Sequence, residues 1–554
     1  MIITMKKVFI FAMMALAFTA VQAQDTYTND RITNTSDIHG TARYVGMGGA
    51  MGALGGDISV IPNNPAGIGL FHRNDISIGM GAVIQDAKPI DGDAKAHYSF
   101  DQIGFVAAFN NDNGNNINFG VNLQKKLDFR HSMIAENGKL GGLSQAAQLA
   151  GLMMDFGEDY SQNVGSLVNQ AYGAGIYDVF AGDGGQLQYL SKANSFYRTS
   201  SGNLYGLDLN VSGGVQDRIF WGATFGINFL KYRSNTSYVE FRDAYYNNQF
   251  LSSYEVQDYT LDAQHDVNGT GFNIKAGTII RPIEDSPFRF GIAIETPSWY
   301  TLKQEDSYFT FYTKWQNNGW NAEANSYDYT YNFDQGQYQQ YDSPDANYLE
   351  FNIHSPWKFR LSLASTFGDY LAMDVEYEYS LNNRATMGYP RQESSGWDDQ
   401  SVGMDGDKAM NALTQKTING VHNFRAGVEY KPVPKFAVRA GYNCYNLFRG
   451  TMKSDGRFDQ TIDSYSMNFV TGTDYMNLKA ANIFSFGMGY RGKSFYADVA
   501  YKYRRQRGDF YAFDDIYQTA KAPEAQFLTD ASHLAPTDVK LDRHNVTFTL
   551  GFKF

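Results

Sequence analysis

Residues 545–554 read Asn545-Val-Thr-Phe-Thr-Leu-Gly-Phe-Lys-Phe554, apolar and polar side chains alternating to the last position. Val546, Phe548, Leu550, Phe552 and Phe554 share one face of such a strand, and Thr547, Thr549, Gly551 and Lys553 share the other. One apolar and one polar face suit a strand with hydrocarbon on its outside and water on its inside. Outer-membrane barrels commonly close on a strand of this kind with a terminal Phe. The segment therefore predicts a transmembrane β-barrel in the outer membrane of a Gram-negative cell.

The opposite end agrees with that compartment. Met5-Lys6-Lys7 is a basic start, Val8 to Val21 is an uncharged apolar run, and Val21-Gln22-Ala23 offers small residues before Gln24. This is the pattern of a cleaved signal peptide over residues 1–23, the run being too short to span a bilayer. The next residue, Gln24, is not a lipidation cysteine.

Composition narrows the class. The 554 residues show no linker between two compositions, and mean hydropathy is −0.41. No apolar run of helix-spanning length follows residue 23, which excludes helical membrane topology. Aromatic residues are 15% of the chain, with 39 Tyr and 40 Phe, which suits the aromatic girdles of a barrel. A net charge of −12 argues against nucleic acid as a partner. The single Cys444 has no partner for an internal disulfide and reads as a small buried residue at a strand end.

Strand number follows from tight turns. Hairpins are predicted for Asp101–Phe109 with Asn116–Lys126, Leu204–Val215 with Arg218–Tyr232, and Phe272–Arg281 with Phe288–Thr296. Three more pair Phe359–Phe367 with Tyr370–Leu381, His422–Lys431 with Lys435–Cys444, and Ala481–Arg491 with Ser494–Arg504. Asp75–Ile84 before them and Asn545–Phe554 after them bring the total to 14, an even number that puts both ends of the wall on one side. Facing is consistent: Asp374, Glu376 and Glu378 turn inward while Met373, Val375 and Tyr377 turn outward, and a one-residue slip would put carboxylates into hydrocarbon. A soluble β-sandwich also alternates. It lacks the regular succession of short turns and long connections seen here, the long ones spanning 127–203, 233–271, 297–358, 382–421, 445–480 and 505–544.

Between the signal and the first strand, residues 36–69 carry Ser36-Asp-Ile-His-Gly, then Gly46-Met-Gly-Gly-Ala50, then Asn63-Asn-Pro-Ala-Gly-Ile-Gly69. Nine glycines from Gly40 to Gly69 permit close backbone approach, and Pro62 and Pro65 stop regular structure. A segment this small has no core of its own, and it is too apolar for a free tail. It is expected to pack in the lumen as a plug, residues 24–72, with residues 73–554 forming the barrel.

These residues resemble the FadL-type outer-membrane transporters of long-chain fatty acids and other hydrophobic compounds, in the branch common in Bacteroidetes and often labelled haemin receptor. The likeness rests on Gly46-Met-Gly-Gly-Ala50, on Asn64-Pro65-Ala66, on the immediate entry into the first strand, on the count of 14 and on the terminal Phe. It implies an N-terminal hatch, an apolar ligand taken up through a plugged barrel, and lateral release through a gap in the wall. Gly46, Gly48, Gly49, Ala50, Asn64, Pro65 and Ala66 are the ligand or gating residues it implies. The implied partners are outer-membrane lipid, a hydrophobic small molecule and the barrel-assembly machinery. A non-transport adaptor role in protein secretion also occurs in the family.

Other features weigh less. Trp299, Trp315 and Trp320 in the 297–358 connection suggest an external aromatic groove, although aromatic residues more often simply hold a long loop together. Leu140–Met154 has Leu143, Ala147, Ala150 and Met154 at helical spacing, the mark of a loop helix on the barrel rim. Gly120 in the third strand is a candidate kink. Gly487-Met-Gly-Tyr-Arg-Gly-Lys-Ser494 matches a nucleotide-binding loop by letter, but Gly492-Lys493 is a hairpin turn with no helix after it. Haem would require an axial His or Tyr and an apolar slot, and His39, His72, His97 and His131 are scattered. Asp405-Gly-Asp407 lacks a full calcium spacing. No catalytic residues, metal site or cofactor are indicated, and no enzyme activity is expected.

Overall fold

The computed structural model describes residues 30–34, 37–85, 96–111, 115–149, 165–176, 187–246, 249–252, 257–283, 286–313, 315–321, 326–331, 339–343, 347–390, 404–447, 471–514 and 534–554. The expected signal peptide lies outside them. The chain forms a closed antiparallel barrel of 14 strands. In chain order the wall is β1 (Asp75–Gln85), β2 (Ala96–Asn110), β3 (Asn116–Asp128), β4 (Leu187–Val215), β5 (Ile219–Tyr246), β6 (Gln257–Ile280) and β7 (Arg289–Glu295, resuming as Trp299–Thr313). It continues with β8 (Asn347–His354, resuming as Lys358–Phe367), β9 (Leu371–Ser380), β10 (Val421–Val433), β11 (Phe436–Tyr445), β12 (Ala481–Arg491), β13 (Phe495–Arg505) and β14 (Arg543–Lys553). Closure is regular: β14 pairs with β1 from Lys553↔Asp75 to Arg543↔Gln85 without a break. The C-terminal strand does what its alternation required, exposing Phe548, Leu550 and Phe552 and burying Thr547 and Thr549.

Short turns close one end. Gln216 and Asp217 both take left-handed φ, 53° and 51°, the geometry whose twist matches a two-residue hairpin. Gly492-Lys493 is a turn from β12 into β13, with Gly492 donating to the Phe495 carbonyl at 2.8 Å, so the nucleotide-loop pattern is a coincidence.

At the other end strands run on into the long connections, which corrects the expectation of loops over 187–203 and 233–271 within the described residues. β4 and β5 pair continuously from Val215↔Ile219 to Leu187↔Tyr246, far beyond the height of a membrane span. The reason lies in the side chains. On β6, inward Asn273 and Lys275 give way higher up to inward Tyr259, Leu261 and Val267, while outward Phe272 and Ile274 give way to Asp262, Gln264 and Asn268. Alternation persists with its polarity inverted, because the strand has left hydrocarbon for water. The upper lumen then holds an apolar core in which Leu261, Leu302, Phe309, Phe311, Leu349 and Phe351 pack with Leu140, Leu143 and Leu149 from the β3–β4 connection. Residues 145–149 are helical there, within the segment expected to cover the rim, and 150–154 lie outside the described residues.

Candidate functional site

The plug lies in the lower lumen and is locally well specified. Thr41 caps a short helix, Ala42–Gly46, accepting from Tyr44 N at 3.2 Å, and its hydroxyl donates to Asp57 at 2.7 Å. Asp57 and Asn64 cap the two following 3₁₀ turns through Ser59 N and Ala66 N. Caps of this kind satisfy end amides that a segment without a sheet would leave bare. Met47, Met51, Ile58, Val60, Ile61 and Ile68 are fully or almost fully buried.

The sequence-predicted plug residues fall on two contacts with the wall. The first is Gly46-Met47-Gly48 against glycines that sequence reading missed. A Cβ on Gly48 would stand 2.8 Å from Tyr442 N, and one on Gly46 would stand 3.1 Å from Gly487 Cα. Reciprocally, a Cβ on Gly427 would meet Met47 O at 2.3 Å and one on Gly441 would meet Gly48 N at 2.1 Å. Gly427, Gly441 and Gly487 sit on neighbouring strands β10, β11 and β12 and form a smooth floor for plug backbone. Gly48 also needs its φ of +67°. Gly49 differs: its φ is +75°, but its nearest neighbour is the plug's own Tyr44, and Ala50 beside it is buried. The second contact is Asn64-Pro65-Ala66. Gly222 of β5 faces the Pro65–Ala66 peptide at 2.5 Å from an added Cβ, and Asn64 Nδ2 donates to Gly52 O at 2.8 Å and Thr278 O at 3.1 Å.

Ionic ties add to this. Arg43 reaches Glu429 at 2.9 Å, and Arg439 joins Glu429 to Asp498 at 2.6 and 2.7 Å. Asp374 Oδ2 accepts from Ala53 N and Leu54 N at 3.0 and 2.8 Å, and Lys502 holds Asp37 at 2.9 Å. Asn63 donates to Glu376, which also pairs with Arg425. Breaking a buried pair from one side typically costs about 3–5 kcal/mol, so these ties fix the plug in one position.

Above the plug, polar cavities remain. One is lined by Asp37, His39, Lys126, Lys275, Glu295 and Arg360 among others. A second lies between Arg31, Phe129, His131, Arg504 and Arg543. Both touch Asp37, next to the place where the wall parts.

That place is between β2 and β3. Their ladder runs only from Asn110↔Asn116 to Gln102↔Gln124. Above it, Ala96–Phe100 of β2 pair with β1 alone, and Lys125–Asp128 of β3 pair with β4 alone. Freed groups find side chains instead: Phe100 O accepts from Tyr205 Oη at 2.8 Å, and Tyr98 O accepts from Arg130 at 3.1 Å. Lys125 turns inward to Ser99 at 2.8 Å and Asp128 at 3.0 Å. Gly120 is not the kink, since it pairs regularly with Val106 and Asn210; the irregularity of β3 lies at Lys125–Leu127.

The three tryptophans do not lie on one element. Trp299 belongs to β7, its ring 5.1 Å from that of Phe272. Trp315 and Trp320 lie on a separate hairpin, Trp315–Asn321 paired with Ser326–Tyr331, and their side chains lie outside the described residues. Asp407 caps the helix Lys408–Thr417, accepting from Met410 N at 2.8 Å. His39 is buried between Asp37 and Asp101 at 3.2 and 3.5 Å, and His72 is exposed.

Fold and site together define a plugged transmembrane barrel with a parted wall. No family model matches the sequence, and no curated protein matches it. Among solved structures the chain is similar to the Ralstonia pickettii toluene transporter TbuX, at 12% identity over 93% of this chain and 98% of that one, TM-score 0.46. It is similar also to a Pseudomonas aeruginosa FadL homologue, at 12% over 94% and 99%, TM-score 0.48. A third is the Pseudomonas putida toluene transporter TodX, at 12% over 94% and 100%, TM-score 0.47.

Proposed function

We propose that this protein takes up hydrophobic small molecules of the long-chain fatty acid type across the outer membrane, and releases them sideways between β2 and β3. The carrying observation is that separation above Gln102↔Gln124, beside luminal cavities closed off below by the plug. A straight path down the lumen would take an apolar solute through charged side chains and then through the plug. A lateral path returns it to hydrocarbon, where its transfer is favourable. Unpaired strand edges are costly in a bilayer, and Tyr205 and Arg130 meet that cost here. On this reading the short turns face the periplasm. A thiol label applied to whole cells would react at Lys139→Cys and spare Gly492→Cys.

On this reading Gly46 and Gly48 seat the plug on the glycine floor, Asn64, Pro65 and Ala66 seat it on the opposite wall, and outer-membrane lipid and the barrel-assembly machinery are the partners. The test is ligand extraction: protein purified through mild detergent exchange retains a fatty acid or similar apolar compound, identified by mass spectrometry. Crosslinking β2 to β4 across the mouth of the parting, by Phe100→Cys with Tyr205→Cys, abolishes uptake, and reductant restores it. Undiminished uptake through the crosslinked wall would refute lateral release at this place.

A second reading, haemin uptake, is favoured by one observation. His131 is buried in the cavity that holds Arg31, Arg504 and Arg543, and among the described residues its Nε2 has no hydrogen-bond partner. Imidazole and guanidinium groups suit iron and propionates. A retained porphyrin in the same extraction would select it. Reproducible absence of any ligand would favour an adaptor role in secretion.

A further inference from the structure

The wall is interrupted a second time, far from β2 and β3. β7 breaks at 296–298 and β8 at 355–357, at the same height: Glu295↔Lys358 pair just below the break and Trp299↔His354 just above it. Pro297 and Pro356 lie in the two breaks and have no N–H for a ladder. The edges are tied by serines. Ser355 N donates to Ser298 O at 3.0 Å, and Ser298 N donates to Ser355 Oγ at 2.8 Å, a side chain standing where a backbone carbonyl would be.

The two sides of this break are chemically unlike. Outside, Phe272, Trp357 and Phe359 are exposed, with Trp299 packed on Phe272 and Trp357 stacked on Phe359. Inside lies the polar cavity above the plug, to which Ser298, Ser355, Glu295, Lys358 and Arg360 all contribute. Its cations are not evenly matched. Arg360 bridges Glu295 and Glu378, but Lys126 and Lys275 share the single Asp208, at 3.9 and 2.6 Å. Lys358, half-buried at the lower lip of the break, makes no ion pair among the described residues. A purely apolar molecule gains little in such a space and would strand its polar groups from water. Glu295, opposite Lys358 in the ladder, and Glu378 are both taken up by Arg360, so an anionic group would find a lysine outside any salt bridge, and charge-assisted hydrogen bonds.

We propose that this cavity is a headgroup site. It receives the anionic head of an amphiphile from the membrane through the β7–β8 break, while the acyl chain stays outside along Phe272, Trp299, Trp357 and Phe359. This rests on the transporter reading above and adds a ligand chemistry to it: a phosphate- or carboxylate-headed lipid, in preference to a neutral hydrocarbon. A barrel of this kind thereby has two side doors, one polar-lined and held by serines, the other between β2 and β3.

The experiment uses the full chain in detergent, titrated separately with phosphatidylglycerol, palmitate and uncharged dodecanol and read by native mass spectrometry. At least one anionic probe binds. Lys358→Gln weakens it about tenfold, the effect of losing one charge-assisted contact. Lys358→Arg retains it, and dodecanol is indifferent to both changes. Binding of phosphatidylglycerol alone identifies a phospholipid head, and binding of palmitate alone a fatty acid. The pair Ser298→Cys with Ser355→Cys, oxidised, excludes the anionic probe and readmits it on reduction. Equal affinity in wild type and Lys358→Gln, or unchanged binding in the oxidised pair, overturns the proposal. Uptake of an uncharged apolar probe by cells carrying Lys358→Gln separates the two readings. Normal uptake with lost headgroup binding is the expected result. Failed uptake in the wild type with intact Lys358-dependent binding sinks the transporter reading alone.

Discussion

The lower and upper walls of this barrel are built from the same strands and obey opposite rules. In the lower wall Phe225, Ile274 and Phe548 face out and Thr224, Lys275 and Thr547 face in. In the upper wall of β6, Asp262 and Gln264 face out and Tyr259 and Leu261 face in. Hydrogen bonding does not change between them; β5 pairs with β6 through both zones in one register up to Glu240↔Tyr259. What changes is the solvent outside. A sheet alone does not dictate which face is apolar, and its surroundings do. The lower lumen can stay polar because plug and ion pairs occupy it, while the upper lumen must be apolar because water surrounds it.

Three substitutions sharpen that contrast. Phe309→Ala removes a fully buried ring from the upper core and should cost about 3–5 kcal/mol there, read as loss of protease resistance above the membrane with the lower barrel intact. Phe548→Lys puts a charge into the lipid belt and should cost about 2–4 kcal/mol in urea unfolding from vesicles. Its counterpart Gln264→Lys, outward on the upper wall, should stay within about 0.5 kcal/mol. Equal costs for Phe548→Lys and Gln264→Lys would erase the distinction between the walls.

His265 supplies a smaller, pH-dependent test. It sits in the upper wall with its ring 6.2 Å from Tyr232, and burial, then the Arg198 charge, lowers its pKa to about 4. The unfolded histidine binds its proton near the ordinary value of about 6.5, the folded one only near 4. Between these values the unfolded state holds more protons, so the upper wall loses stability as pH falls through that window. The ring is partly exposed, and the loss should be on the order of 1 kcal/mol. His265→Gln should flatten the profile between pH 6.5 and 4.

Much of this was legible in the chain. Alternation located all 14 strands, because lipid tolerates no slip. The turn at Gln216-Asp217 showed itself by its brevity. Plug glycines were visible as a cluster, but their partners Gly427, Gly441 and Gly487 were not, since glycine is common in barrel strands and only the contact distinguishes these. The upper wall over 233–271 reads as loop in the sequence because its polarity inverts, although Tyr259, Leu261, Ala263 and Val267 keep a period of two. The parting of β2 from β3 has a signal in hindsight: Asp101 and Gln102 are consecutive polar residues and both face inward, as do Gln124 and Lys125 on β3. Two inward residues in a row mark a bulge. The break in β7 and β8 is marked by Pro297 and Pro356.

Planar-bilayer conductance of the protein lacking residues 24–72 tests most directly whether the lumen is closed by its own N-terminal segment. Without the plug, the inward faces carry Asp374, Glu376, Glu429, Arg425 and Lys502 around a space that water fills. The strands carry their own ladder all round the lower wall, including the closing pair of β14 with β1, so the barrel should fold and conduct as a wide open channel while the intact protein stays nearly silent. A deletion variant that is folded, yet conducts no better than the intact protein, would contradict the account.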